Sequence, residues 1–461
     1  MSRFQVRSMG VPDMRHAAKV CLIHRLLPGV AGLVCSVIAL PALAVLPIQH
    51  WQTSTGAQVY FVQNRDLPML DVSVEFPAGS GRDTPGTSGL GALTLRALRL
   101  GADGLTEDEV SRRLADVGAN LGSSFDYDRA GYSIRTLSSE AEMAQALDVL
   151  TRILGQPAFP AEAVEREKLR TLAGLREADA KPDSIGGREL ARLVFRDHPY
   201  ALRQSGEKDT LAPLTRADLV RFHAGHYVAR EAVVAMIGDV SRERAESIAE
   251  QLTAGLPKTA ALQPSLPPVA ALSDPVTREV EHPSAQAHIY LGAPGVKRSD
   301  PDYFPLWVGN YILGGGGFNS RLTAEVREKR GLSYSVYSFF SPYEQLGAFQ
   351  VGLQTRKDQA DEALRVTRAT LAQFVAEGPT DTELEGAKQN IVGGFPLRID
   401  SNRKILDYLA VIGFYKLPLD YLEQFPVKVQ AVTAEQIREA FSRRIDPDKM
   451  VTVIVGGAHA K

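Results

Sequence analysis

The chain has 461 residues, 44% of them hydrophobic, and a formal net charge of −2. That length holds two or three cored domains. The near-neutral balance excludes nucleic acid as the main partner, because phosphate binding needs a clear basic excess.

The first 44 residues read as an export signal. Arg3, Arg7, Arg15, Lys19 and Arg25 make a basic start, Leu26 to Leu40 is mostly apolar, and Ala42-Leu43-Ala44 is an A-x-A cleavage site, with the cut expected before Val45. Both cysteines, Cys21 and Cys35, fall in this leader. The processed chain then has no disulfide, no thiol nucleophile and no thiolate metal ligand. It is expected to be soluble and periplasmic, off the membrane once the signal is cleaved.

Ala57 to Val62 and Leu70 to Phe76 predict two strands around an Asn64-Arg65-Asp66 turn. Gly86 to Leu100 has apolar residues at helical spacing, and Thr106 with Glu109 forms a capping box that opens the next helix. Asn120 to Phe125 and Gly131 to Leu137 predict a hairpin about Asp126–Asp128, followed by long helices from Ala141, Pro160 and Ser184. Thr215 opens a further helix, and Val233 to Ile237 is a short apolar strand ending at Gly238.

A stretch rich in proline, residues 256–275, then reads as an extended linker. Beyond it the order of elements returns. Thr433 opens a helix and Val451 to Val455 is a strand ending at Gly456, at the same spacing as Thr215 to Gly238. Pro160 and Pro379 each precede a long helix. A repeat of about 220 residues is two copies of one domain, since a solenoid repeats every 20–50 residues or so. The expected boundaries are residues 45–255 and 276–461. Hairpins with blocks of helices give an α+β class: two homologous domains, each an antiparallel-rich sheet with helices packed on one side, closing as a clamshell.

The second half carries the most specific sequence. Gly314 to Gly317 leads into Phe318-Asn319-Ser320-Arg321-Leu322, then Glu325-Val326-Arg327-Glu328-Lys329, then Gly331-Leu332-Ser333-Tyr334-Ser335-Val336. Asn319 or Ser320 is expected to cap a helix that Gly331 stops, with a strand from Leu332 to Phe339. The four glycines lack the lysine and serine of a phosphate loop.

With its two α+β halves and this motif, the chain resembles the pitrilysin/insulinase zinc-peptidase family, in its mitochondrial-processing-peptidase-like branch. In active members the first long helix carries H-x-x-E-H, two zinc-binding histidines and a glutamate base, and a later helix supplies a third ligand. Gly89-Leu90 and Leu100-Gly101 bracket the corresponding helix here. In that register the motif positions fall on Ala92, Leu95 and Arg96, and the distal ligand position falls on Gly174. None can serve: alanine, leucine and glycine have no donor atom, and arginine stays protonated. No histidine lies between His50 and His198. His223 and His226 are spaced i, i+3 without an intervening glutamate, and read as structural.

The resemblance implies a substrate-binding role for Arg327 and Tyr334, seven residues apart. A guanidinium and a phenol there stabilise the negative charge that builds on a scissile carbonyl oxygen. Gly315, Gly316 and Asn319 are expected to assist in peptide capture. The implied function is that of a non-catalytic subunit with no cofactor of its own. Its partner would be a homologous zinc-bearing chain, and its ligand a peptide. A scaffold or binding protein that retains the fold, and an active zinc peptidase, are the alternatives.

Overall fold

A computed structural model describes residues 47–258 and 264–457. The segment expected to be an export signal, residues 1–44, lies outside the described residues, as do residues 259–263 of the proline-rich stretch.

The first half runs β1 (Gln49–Gln52), β2 (Gln58–Gln63), β3 (Met69–Phe76), α1 (Leu90–Leu98), a two-residue ladder of β4 (Gly101–Ala102) with β5 (Leu105–Thr106), α2 (Glu107–Asp116), β6 (Asn120–Phe125), β7 (Ala130–Leu137), α3 (Glu140–Gly155), α4 (Ala161–Ala178), α5 (Pro182–Phe195), α6 (Lys208–Leu211), α7 (Arg216–His226), β8 (Val233–Gly238) and α8 (Arg242–Ala254). The second half runs β9 (Val276–Val280), β10 (Gln286–Pro294), α9 (Tyr303–Asn310), β11 (Val336–Phe340), β12 (Ala348–Arg356), α10 (Ala360–Glu377), α11 (Asp381–Gly393), α12 (Asn402–Phe414), α13 (Tyr421–Ala431), α14 (Ala434–Arg444) and β13 (Val451–Val455). Among the described residues no helix is long and apolar enough to cross a membrane.

The two sheets carry the repeat. Their strand orders are β1-β2-β8-β3-β7-β6 and, read from its far edge, β9-β13-β10-β12-β11. Strand for strand they match, with β1 an addition to the first. Each has a single parallel pair at the same place, β2 with β8 and β9 with β13. The helices before β8 and β13 open on Thr215 and Thr433, each in a capping box. The Asn64 turn, closed by its side chain on the Asp66 amide, joins strands that are not neighbours, because β8 lies between β2 and β3.

Why β8 reads Val-Val-Ala-Met-Ile without alternation follows from its surroundings. Both faces of the strand are covered, and a central strand buried on both sides needs no polar face. Val234 and Met236 join the main core with α3 and α8, whereas Ala235 and Ile237 face Leu406, Leu409 and Ala410 of α12. Helix α12 comes from the second half. Its counterpart α5 makes the reciprocal move: Leu190, Val194 and Phe195 pack on Tyr290, Val451, Val453 and Val455 of the second sheet. Each half thus keeps its own helices on one face of its sheet and lends one helix to the other half. The close approach demands glycine at matching places. A Cβ on Gly186 would lie 2.2 Å from the Tyr290 ring, and one on Gly413 would lie 2.5 Å from a Val233 methyl and 2.7 Å from the Tyr60 ring.

The described part of the proline-rich stretch has no helix or strand before Val276 and is tied down along its length. Arg82 donates to the Pro264 carbonyl, Gln345 to Leu266, and Arg196 to Ala271, while His198 Nε2 meets the Pro267 carbonyl. Leu266 and Val269 are buried in the same cluster as α5.

The tip of the β6–β7 hairpin completes the junction. Asp128 is 2% exposed and accepts from the hydroxyls of Tyr200 and Tyr415 and from the Glu344 amide, the last two from the second half. Tyr127 beside it packs against Phe195, Tyr200 and Tyr343.

Candidate functional site

Helix α1, on which the resemblance sets the metal motif, is shorter than the predicted span Gly86 to Leu100. Its start is fixed by Asp83, whose carboxylate accepts from the amides of Gly89 at 2.8 Å and Gly91 at 2.9 Å. Burial pushes the Asp83 carboxyl up to about 7, against those two donors, which favour its charged form. An unfolded aspartate ionises near 4. Between those values the folded chain holds a proton that the unfolded chain has lost. This group's contribution to stability therefore falls as pH rises from about 4 to about 7, by at most about 1.4 kcal/mol per pH unit. Urea unfolding between about pH 5 and about pH 7 should show a steeper loss of stability in the natural chain than in Asp83→Asn, which cannot titrate there. Equal slopes would reject this assignment.

Ala92 and Leu95 are buried, and the Leu95 carbonyl accepts from the Tyr132 hydroxyl at 2.8 Å. Arg96 is half-buried and donates from Nη1 to Thr171 Oγ1 at 2.9 Å. So the α4 residue that meets α1 is Thr171, one turn before Gly174. Gly174 is exposed, and a side chain there would meet nothing within 4 Å. The donor chemistry of Ala92, Leu95, Arg96 and Gly174 does not fit zinc, and no catalytic step can be drawn through a metal held by them. Among the described residues no cluster of three histidine, cysteine, aspartate or glutamate side chains is placed to hold a metal ion. His223 Nε2 lies 2.7 Å from the Leu154 carbonyl and its ring stacks on Tyr227. His226 packs on Phe222 instead, and burial, with Arg82 nearby, holds its ring down to about 4. His198 accepts from the Tyr200 amide through Nδ1, as a loop residue would.

The second-half motif folds into a series of short, irregular helical turns. Tyr311–Gly315 and Thr323–Glu328 are both π-helical turns, separated by a short 3₁₀ turn at Gly317–Asn319. Ser320 provides the cap: its buried hydroxyl bonds the hydroxyl of Thr323 and accepts from the Thr323 amide, while Asn319 stays exposed. Gly331 ends the segment, and the strand begins at Val336 rather than at Leu332. Gly314, Gly315 and Gly316 are packed, whereas Gly317 is open and left-handed. A Cβ on Gly315 would lie 2.7 Å from the Asn310 amide nitrogen, and one on Gly316 would lie 2.6 Å from the Tyr311 carbonyl oxygen.

Arg321 anchors this segment to the rest of the half. Its guanidinium takes both carboxylate oxygens of Glu383, at 2.6 and 2.7 Å, and holds that carboxyl down to about 2. Glu325 is occupied by Lys329 and Arg330. Arg327 is left with one exposed neighbour, Glu328, at 3.3 Å from its Nε. Its guanidinium carbon sits 4.7 Å from the Phe318 ring centre and 4.9 Å from that of Tyr334. Cation–π contacts of this kind hold a guanidinium in place without consuming its N–H donors. Phe318 is 74% exposed and Tyr334 84%. Arg327 and Tyr334 are therefore brought together at the surface, with both polar ends open to a ligand. Phe318, the other side of the sandwich, escaped the sequence-based list; its position directly after the glycines was the available clue. Tyr337 and Phe339 continue the exposed aromatic surface along β11, their rings stacked at 6.0 Å.

Comparison with known proteins identifies the family. Residues 59–207 match the model for the insulinase family, peptidase family M16, and residues 213–391 match the model for the peptidase M16 inactive domain. An uncharacterised zinc protease of Streptomyces coelicolor is 28% identical over 373 residues, which cover 78% of this chain and 79% of that protein. The non-peptidase homolog YmxG of Helicobacter pylori is 24% identical over 400 residues, covering 86% of this chain and 91% of its own length. The crystal structure of a peptidase M16 inactive domain from Pseudomonas fluorescens superposes with a TM-score of 0.86 at 38% identity, covering 90% of this chain and 100% of that one. With its two matched halves, its repeated sheets and its Arg327–Tyr334 motif, the chain belongs to peptidase family M16, the insulinase family.

Proposed function

We propose that this chain is the non-catalytic, substrate-binding subunit of a periplasmic two-chain peptidase, working beside a homologous partner with an intact H-x-x-E-H. The observation that carries this reading is Arg327 held open between Phe318 and Tyr334, in a chain whose own metal positions are Ala92, Leu95 and Arg96. An oxyanion-binding pair has its use opposite a reacting carbonyl, and here the metal that would polarise that carbonyl has to come from another chain. The peptide would be the shared ligand, and Gly315, Gly316 and Asn319 would assist its capture. Export rests on the basic and apolar leader with its Ala42-Leu43-Ala44 site.

The test is zinc content and peptide cleavage, measured first on the purified chain and then after mixing with an H-x-x-E-H homologue. No zinc and no cleavage alone, with faster cleavage on mixing than the partner achieves by itself, supports the subunit reading. Arg96→His should likewise take up no stoichiometric zinc, since the remaining ligands are missing. Zinc near one per chain, with cleavage by this chain alone, would overturn it. A second reading, a binding protein that keeps the fold as scaffold, draws on the similarity to the Helicobacter non-peptidase homolog. It predicts peptide or protein binding with no stimulation of any partner.

A further inference from the structure

A cavity of about 440 Å³ opens at the end of α1, lined by Arg96 and by Arg99, the residue that follows the helix, together with Glu107, Glu167 and Arg170, and floored by Val110, Leu114 and Leu121. Its charges are unevenly matched. Glu107 is taken by Arg166, and Glu167 by Arg170 at 3.0 Å. Arg96 spends one N–H on Thr171, and among the described residues neither Arg96 nor Arg99 has a carboxylate partner. Two guanidiniums one helical turn apart thus face one cavity whose carboxylates, Glu107 and Glu167, are each paired to another arginine. Such a pair disfavours cations and favours an anion that both can reach, and the planar fork of arginine suits a carboxylate.

The wall of the cavity names the carrier. Leu121, Gly122 and Ser123 belong to β6, the outermost strand of the first sheet, whose far edge has no neighbouring strand. An unpaired edge recognises extended peptide backbone. We propose that the Arg96–Arg99 cavity is a carboxylate site that anchors a peptide by its free C-terminus or by an acidic side chain. This inference rests on the peptide-binding part of the proposed function and does not need the partner chain.

The experiment is fluorescence anisotropy of the full chain with three N-terminally labelled peptides of one neutral sequence: free C-terminus, amidated C-terminus, and amidated with one internal glutamate. The free-acid peptide, the internal-glutamate peptide, or both should bind more tightly than the neutral amide. Which of them does so identifies the source of the carboxylate. Arg99→Ala removes an exposed side chain with no ion pair and should fold normally, with an unchanged thermal midpoint. It should weaken the carboxylate-bearing peptide on the order of tenfold and leave the neutral amide unchanged. Arg96→Lys with Arg99→Lys should recover part of the loss. Equal affinity for all three peptides, or carboxylate-dependent affinity that survives Arg99→Ala and Arg96→Ala together, would overturn the site. Carboxylate-blind peptide binding removes this inference and leaves the subunit reading standing. Carboxylate-dependent binding without stimulation of any partner does the reverse.

Discussion

Changing Arg327→Ala and Tyr334→Phe together should lower turnover by the reconstituted two-chain peptidase about 100-fold or more, with the zinc content of the mixture unaltered. Removal of one oxyanion donor typically slows acyl-transfer chemistry by about 10²–10³. Tyr334→Phe deletes only the hydroxyl and keeps the ring that flanks Arg327, so its single effect isolates the O–H donor. Arg327→Ala deletes the charge. Neither change should unfold the chain, because Tyr334 is largely exposed and Arg327 packs chiefly between two exposed rings. The sandwich itself contributes roughly 0.5–1 kcal/mol at such a site. Phe318→Ala, which lets Arg327 wander but leaves both donors, should show a smaller loss. Normal turnover in the double variant would remove this pair from the site and favour the binding-protein reading. A loss that tracks a lowered thermal midpoint would instead assign both residues to folding.

Parts of this molecule written in short-range chemistry were legible from the sequence. Thr106 with Glu109 closes its capping box as the residue spacing predicts, and Thr433 opens its helix where expected. The matched distances from Thr215 to Gly238 and from Thr433 to Gly456 identified the repeat, because each spans one helix and the strand it feeds. What stayed hidden depends on partners far along the chain. Periodicity shows that α5 and α12 each bury an apolar face, but not that each buries it on the other half's sheet. Only the small residues Gly186 and Gly413 mark the close contact, and a helical glycine has several explanations. The insertion of β8 between β2 and β3 was hidden for the same reason. At the site, the family resemblance brought out Arg327 and Tyr334 but not Phe318, since ring stacking on a guanidinium leaves no periodic trace. The choice of Ser320 over Asn319 as cap also turned on a buried side-chain contact, with Thr323. Asp128 read as an ordinary hairpin residue, and its three donors come from residues 72, 216 and 287 positions away.

Asp128→Ala should be the most destabilising single change at the junction, by on the order of 3–5 kcal/mol in equilibrium urea unfolding. The carboxylate accepts from Tyr200, Tyr415 at 2.7 Å and the Glu344 amide at 2.7 Å, and the variant strands all three donors in a buried place. Burial, with a smaller push from the charge of Asp126, raises the Asp128 carboxyl above its ordinary value, and the three donors oppose that rise by favouring the charged form. Asp128→Asn keeps one acceptor oxygen and should lose less than alanine does. The functional consequence follows from geometry. Tyr200 belongs to the first half and Tyr415 and Glu344 to the second, so this one side chain ties the halves where α5 and α12 cross between sheets. A pair such as Arg327 and Tyr334 can meet a reacting carbonyl in another chain only if its own half is held at a fixed angle to the rest. Asp128→Ala should therefore also raise susceptibility to proteolysis near the residue 256–275 linker. A variant as stable and as protease-resistant as the natural chain would mean that the exchanged helices hold the junction by apolar packing alone.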